Sequence, residues 1–421
     1  MDSLIIEGPA RLQGEVIVSG SKNTALPLLF ASLLFNKEVR YENVPRLWDI
    51  ETTLCLLTEM GCETSWAKEE GTISILPSVK NKVASYDWVK KMRAGVLALG
   101  PLTAKYGEAK VSLPGGCAIG ARPVNFHIDA LKQMGVSVAV EEGYIHAKVK
   151  SKLQGAAILF PEVTVTGTEN ILMVAAFAEG KTTLENAACE PEVVALGEFL
   201  QSCGIKIQGL GSSRIEIWGG GLYEPKGPVT IPPDRIEAGT WIAASIVTDS
   251  ELTLKKVNPL DMSAVIVAYE KMGVKFEMLS NSTLKILPQS RYTPMDLETK
   301  PYPGFPTDMQ AQMLVSMLRI DGKSTMRENI FENRFMHVAE LRRLGAKIEI
   351  DGNLAVVHGR ASLVGAPIMA TDLRASASLV VAALCSKGST KISRIYHLDR
   401  GYQRLDLKLS QLGATIRRVA E

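Results

Sequence analysis

Apolar positions along the chain follow two rhythms in turn. Windows rich in small apolar residues at helical spacing end near a glycine, and a short stretch of alternating apolar and polar residues follows. AAFAEGKTTLENA, SMLRIDGKSTMREN and AALCSKGSTKISRI are three versions, with Gly180, Gly322 and Gly388 at the junction. A second recurrence is an apolar residue plus glycine closing a helix, at Gly61, Gly135, Gly204, Gly273, Gly345 and Gly413, spaced 68 to 74 residues apart. Glycine suits that place because a residue closing a helix often takes the left-handed conformation. Five consecutive spacings so alike predict an internal repeat, each copy reading as strand–helix–strand–helix–strand with three or four strands.

Six such copies fill nearly all of the 421 residues, and they fit one ring or two lobes of three. The stretch 219–234 is rich in Gly and Pro and lies near the middle, so it reads as a crossover, with a second near 19–21. That favours two lobes, 22–234 and 1–21 with 235–421, and an active site in a cleft between them that can close on a substrate. The fold class expected is α/β.

Composition narrows the function. With 47 basic and 45 acidic residues the net charge is +2, which argues against affinity built on phosphate neutralisation along a nucleic acid. The apolar stretches 25–35 and 379–384 are too short to span a bilayer, and the N-terminus shows no secretory pattern, so a cytoplasmic protein without membrane contact is expected. Six cysteines show no CxxC spacing; five of them, Cys55, Cys62, Cys189, Cys203 and Cys385, read as small buried hydrophobes.

The starts of the small-residue helices carry polar and charged side chains: Lys22 and Asn23, Arg93, Thr168 to Asn170, Asp234 to Glu237, Thr307 and Asp308, and Asp372 with Arg374. Capping accounts for the acids and hydroxyls, and Thr307 with Gln310 reads as a capping box. It does not account for Lys22, Arg93, Arg235 and Arg374, because a cation opposes the helix dipole there. An anionic ligand in front of those helices would resolve the conflict.

The segment 113–125, LPGGCAIGARPVN, places Cys117 among glycines with Arg122 five positions on. That reads as a lid loop with an accessible thiol whose thiolate the arginine favours, suited to acid/base or covalent chemistry. It matches neither a P-loop nor a dinucleotide fingerprint. The five histidines form no cluster, His127 reads as structural, and no GxSxG elbow is present.

SGSKNTALPLL, PGGCAIGARPV, PGFPTDMQAQ, FENRFMHV, TDLRASASL and LDRGYQRL, in that order along the chain, resemble the enolpyruvyl transferases, and among them those acting on UDP-N-acetylglucosamine. The resemblance implies two inverse α/β barrel lobes of three units each. It also implies transfer of the enolpyruvyl group of phosphoenolpyruvate to the 3′-hydroxyl of UDP-N-acetylglucosamine with release of phosphate, the first committed step of peptidoglycan synthesis. By matching motifs, Lys22, Arg122 and Arg400 hold the carboxylate and phosphate of phosphoenolpyruvate, assisted by Asn23 and Arg374. Cys117 donates a proton or forms an adduct, and Asp308 contacts the sugar hydroxyl and takes its proton. Arg93, the run Arg122, Pro123, Val124, Asn125 and Phe126, Thr164 and Ile330 meet the nucleotide sugar. No metal or organic cofactor is implied, a monomer is expected, and Cys117 implies sensitivity to the epoxide fosfomycin. One departure is TVTGTEN at 164–170 where the family often reads SVGATEN, so diphosphate contacts from Thr166 and Gly167 do not carry over. The rivals are a transferase acting on shikimate 3-phosphate and a non-catalytic paralogue that binds the nucleotide sugar.

Overall fold

The computed structural model describes residues 2–114, 124–221 and 224–420. Among them are six four-stranded sheets, all with one plan. A short edge strand pairs in parallel with the strand that follows its helix, and a hairpin then adds two antiparallel strands. In one sheet Val83–Ala84 runs parallel to Glu108–Ser112, which pairs antiparallel with Tyr144–Val149, itself paired with Val136–Glu141. The repeat is therefore strand–helix–strand–helix–strand–strand, at the upper strand count read from the sequence.

The chain divides into two compact units, one of residues 2–19 with 233–420, the other of 20–114 with 124–232. Three sheets fall in each. Remote strands complete several of them. Asp2–Gly8 lies between Gly388–Ser393 and Thr415–Ala420, and Gly14–Ile17 runs parallel to Leu252–Lys255. In the other unit Val229–Thr230 supplies the parallel edge beside Val39–Glu42. Where the chain passes between units, Asp234 N–H donates to the Ser19 carbonyl at 2.8 Å and Ser21 N–H to the Pro232 carbonyl at 2.7 Å.

Each unit has its own hydrophobic core. In the unit containing the C-terminus, helices Arg235–Val247, Gln310–Met317 and Leu373–Cys385 pack on one another and are buried over nearly their whole lengths. A helix apolar all round belongs inside a core. Alone, helices of 8 to 13 residues would be marginal, so burial of side chains such as Trp241, Ile242 and Leu379, each about 1.5–3 kcal/mol, holds them. In the other unit Gly100 lies so close to Asn170 that an added Cβ would sit 2.6 Å from its side-chain oxygen, which fixes how helices Leu99–Tyr106 and Val165–Ala175 meet. All six helix-closing glycines have positive φ, from 90° to 107°. Of the five described cysteines only Cys62 and Cys203 are buried; against expectation Cys55, inside helix Trp48–Glu59, Cys189, in the loop before helix Pro191–Ser202, and Cys385, ending helix Leu373–Cys385, are partly exposed.

Candidate active site

The helix starts that stood out in the sequence organise the polar side chains of both units. Capping works as expected at Asp234 and Asp372, and Ser21 and Thr164, not singled out as caps in the sequence, do the same. Ser21 accepts from Thr24 N–H, Thr164 from Gly167 N–H, Asp234 from Ile236 and Glu237 N–H, and Asp372 from Arg374 and Ala375 N–H. The capping box at Thr307 does not form. Pro306, which has no side-chain acceptor, takes the N-cap place, so Thr307 is already inside the turn, and its Oγ1 donates to Glu328 Oε2 at 2.9 Å.

In the unit of residues 20–232, Lys22 is the first residue of helix Lys22–Ala31 and Asn23 the second. Lys22 Nζ pairs with Asp49 Oδ2 at 3.2 Å; the side chains are 12% and 4% exposed. Arg93 opens the turn Arg93–Ala98, which leads into helix Leu99–Tyr106. Asn170 holds that turn: its Oδ1 accepts from Gly100 N–H at 2.7 Å, and its Nδ2 donates to Val96 O at 3.1 Å and to His127 Nδ1 at 2.9 Å. With Nδ1 accepting, His127 carries its proton on Nε2 and donates to Thr166 Oγ1 at 3.3 Å. Burial, with the positive charge of Arg93, brings the His127 pKa down to about 4, so the ring is neutral at pH 7. His127 is thus structural, as expected. Val124 and Phe126 pack partly against the core and Asn125 is exposed. Cys117, Arg122 and Pro123 lie outside the described residues.

The other unit gathers charge around Asp308. Arg334 Nη2 donates to its Oδ1 at 2.8 Å and Arg374 Nε to its Oδ2 at 3.1 Å. Both arginine side chains are only 4% exposed and Asp308 is 26% exposed, so the carboxylate is the accessible end of a buried ionic group. Arg374 Nη2 lies 3.8 Å from Asp234 Oδ2, and its guanidinium stands 5.4 Å from the centre of the Tyr402 ring. Its terminal nitrogens therefore make no short hydrogen bond to a described acceptor, an expensive condition for a buried cation. Tyr402 is itself fixed, its hydroxyl 2.9 Å from Thr240 Oγ1 and 3.1 Å from Gln312 Nε2. Glu328 ties Ile330 into the cluster: its Oε1 accepts from Ile330 N–H at 2.8 Å and Phe331 N–H at 3.1 Å. Arg400 follows the one-turn helix Tyr396–Asp399 and is partly buried.

The cations at these helix starts do not by themselves require an anionic ligand. Protein carboxylates already face Lys22 and Arg374, and Arg235 stacks on Tyr302 at 5.5 Å, so dipole conflict alone does not demand a ligand. The residues missed in the sequence are Asp49, Glu328 and Arg334. Arg334 lies inside FENRFMHV, where a lone arginine between aromatics was the available signal.

The arrangement suits binding of an anion that presents a hydroxyl to Asp308. The EPSP synthase (3-phosphoshikimate 1-carboxyvinyltransferase) family model matches residues 6–409. A UDP-N-acetylglucosamine 1-carboxyvinyltransferase of Nitratidesulfovibrio vulgaris is 53% identical over 426 residues, with all of both chains covered. The chain belongs to the enolpyruvyl transferase family. Within this family a Campylobacter lari enzyme of the same name is 50% identical, again over all of both chains. Among solved structures, the enolpyruvyl transferase NikO from Streptomyces tendae superposes with a TM-score of 0.90 at 24% identity, covering 100% of this chain and 99% of that one. An EPSP synthase from Acinetobacter baumannii gives 0.77 at 17% identity over all of both chains. At those identities the likeness is one of fold, and it agrees with the six repeated α/β sheets. Among the described residues no helix is long and apolar enough to cross a membrane.

Proposed function

We propose that this chain transfers the enolpyruvyl group of phosphoenolpyruvate to the 3′-hydroxyl of UDP-N-acetylglucosamine, releasing phosphate, as the first committed step of peptidoglycan synthesis in the cytoplasm. Identity of about half over the full length of enzymes named for that reaction carries this reading.

The chemistry needs several cations, since phosphoenolpyruvate brings both a carboxylate and a phosphate. Lys22, Arg122 and Arg400 are assigned to those groups, with Asn23 and Arg374 assisting. Arg374 fits a double part: Nε orients Asp308, while its terminal donors have no short protein acceptor among the described residues. The hydroxyl adds to C2 as C3 gains a proton, and the resulting tetrahedral intermediate expels phosphate while C3 gives up a proton, which restores the double bond. Asp308 is assigned to the sugar hydroxyl. A carboxylate has about four acceptor directions, so bonds from Arg334 and Arg374 orient it without exhausting it. Cys117 is assigned proton donation to C3, which places a titratable thiol at the carbon that must be protonated. Arg93, the run Arg122 to Phe126, Thr164 and Ile330 are assigned to the nucleotide sugar; Glu328 supports Ile330 from behind. The chain is expected to act as a monomer.

The deciding measurement is phosphate released from phosphoenolpyruvate with and without UDP-N-acetylglucosamine, in wild type, Cys117→Ala and Asp308→Ala. Release that needs the nucleotide sugar and falls by about 10²–10⁴ in both variants supports the reaction and the two roles. Release only with shikimate 3-phosphate, or nucleotide-sugar binding without turnover, overturns it. Exposure to fosfomycin should add the mass of the epoxide to the peptide carrying Cys117; an unmodified peptide removes that residue's assigned reactivity.

A further inference from the structure

The turn carrying Arg400 is too short to hold its own direction. Helix Tyr396–Asp399 has four residues, and one turn of helix is at the costly nucleation stage. Its orientation must come from what it is fastened to. Three attachments are visible. Tyr402, two residues past Arg400, is buried and hydrogen-bonded to the helices bearing Thr240 and Gln312. Gly401 lies against Leu373, so closely that an added Cβ would sit 2.2 Å from Leu373 Cδ2. The third is ionic and involves Asp399, the immediate neighbour of Arg400.

Arg418 stands on the C-terminal strand Thr415–Ala420, opposite Leu4 of the N-terminal strand. Its guanidinium clasps Asp399 with two hydrogen bonds, Nη1 to Oδ2 at 2.9 Å and Nη2 to Oδ1 at 2.7 Å. Its Nε reaches Asp406 Oδ2 at 3.3 Å, and Nη1 also reaches Asp2 Oδ2 at 3.3 Å. Asp406 is in turn held by Arg404, at 3.2 and 3.3 Å. The Arg418 side chain is 24% exposed, Asp399 14% and Asp406 6%, so this is a half-sheltered network rather than a loose surface pair. A two-bond fork fixes direction as well as distance, which a lysine ammonium cannot do.

We infer that Arg418 is a positioning residue for the reaction: by holding Asp399 it sets the backbone direction from which Arg400 reaches phosphoenolpyruvate. The inference rests on the assignment of Arg400 above. It links the chain's last strand, which bears none of the recognised motifs, to the anion-binding machinery. The nucleotide sugar is assigned to other elements, so its binding should be indifferent to Arg418.

The test is steady-state kinetics of phosphate release with each substrate varied, in wild type, Arg418→Lys, Arg418→Ala, Asp399→Asn and the double variant Arg418→Lys/Asp399→Asn, with melting temperature measured for each. Arg418→Lys should raise KM for phosphoenolpyruvate about 10-fold while KM for UDP-N-acetylglucosamine stays within about 2-fold. Arg418→Ala should exceed Arg418→Lys, and the double variant should add little to Asp399→Asn, because both break one clasp. An unmoved phosphoenolpyruvate KM in Arg418→Lys, or both KM values moving together in step with a lowered melting temperature, overturns the inference while leaving the proposed function standing. A wild type that releases no phosphate overturns the function and this inference with it.

Discussion

In the unit of residues 20–232 the polar groups at the buried helix starts meet mainly neutral partners. Asn170 bridges Gly100, Val96 and a neutral His127, and a single described ion pair, Lys22 with Asp49, supplies charge. In the other unit the corresponding starts meet charge: Asp308 lies between two buried guanidiniums, and Asp234 stands behind one of them. The backbone plan is the same in both, down to the glycine that closes one helix of every repeat. A repeat therefore specifies where a polar side chain emerges, and the residue placed in the first turn specifies what chemistry it can do there. One unit has been fitted with a rigid hydrogen-bonded frame and the other with an ionic one.

That contrast can be broken most forcefully at Asp308. Asp308→Ala strands Arg334 and Arg374 without their shared carboxylate, and loss of one member of a buried ionic group costs on the order of 3 kcal/mol. Asp49→Ala removes the carboxylate that faces Lys22 and leaves one described cation, where Asp308→Ala leaves two, so it should cost less in chemical denaturation. Equal losses would dissolve the distinction between the frames.

A second test uses pH. His127 and His337, one in each unit, are buried and both have their pKa brought down to about 4, by burial in each case. The unfolded rings titrate near 6.5, so between about 6.5 and 4 the unfolded chain binds more protons. The stabilisation is then full above pH 6.5 and is lost as pH falls through about 4, on the order of 3 kcal/mol for each ring. Melting temperature should drop across that window. Replacement by phenylalanine should flatten the slope at either site. At pH 7 it should cost stability only for His127, whose ring bonds Asn170 and Thr166, whereas the ring nitrogens of His337 have no hydrogen-bond partner among the described residues. An unchanged slope in both variants would assign the acid sensitivity elsewhere.

The smallest effect concerns an exception inside the neutral frame. Glu169 is buried, its Oε1 has no hydrogen-bond partner, and burial together with Glu192 and Glu190 holds its pKa well above the ordinary 4.5. Its folded-state pKa being raised, whatever stability it contributes at low pH is lost as pH rises. Glu169→Gln should therefore gain about 1 kcal/mol at pH 8 and less at pH 5. A gain that does not grow with pH would show that Glu169 is charged and satisfied.

Much of this was legible beforehand, and the legible parts share a cause. The six closing glycines, the caps at Asp234 and Asp372, and the structural part of His127 depend on contacts a few residues away or on simple burial. The errors share one too. Thr307 was assigned a local cap but prefers Glu328, 21 positions on. The protein partners of Lys22 and Arg374, 27 and 66 positions away, do not show in local spacing either. Arg334 and Arg418 drew no attention for the same reason.

The sixfold repeat, the ends of its helices and the residue types offered at their starts are written in the amino-acid order, because helix closure and capping are decided within a turn or two of chain. Which of those groups face one another comes from the packing of the folded chain: Asp308 binds Arg334 and Arg374, and Arg418 clasps Asp399. An ion pair at about 3 Å is set by how packed helices and strands cross, and nothing in the spacing of residues 19 to 66 positions apart along the chain encodes that crossing locally.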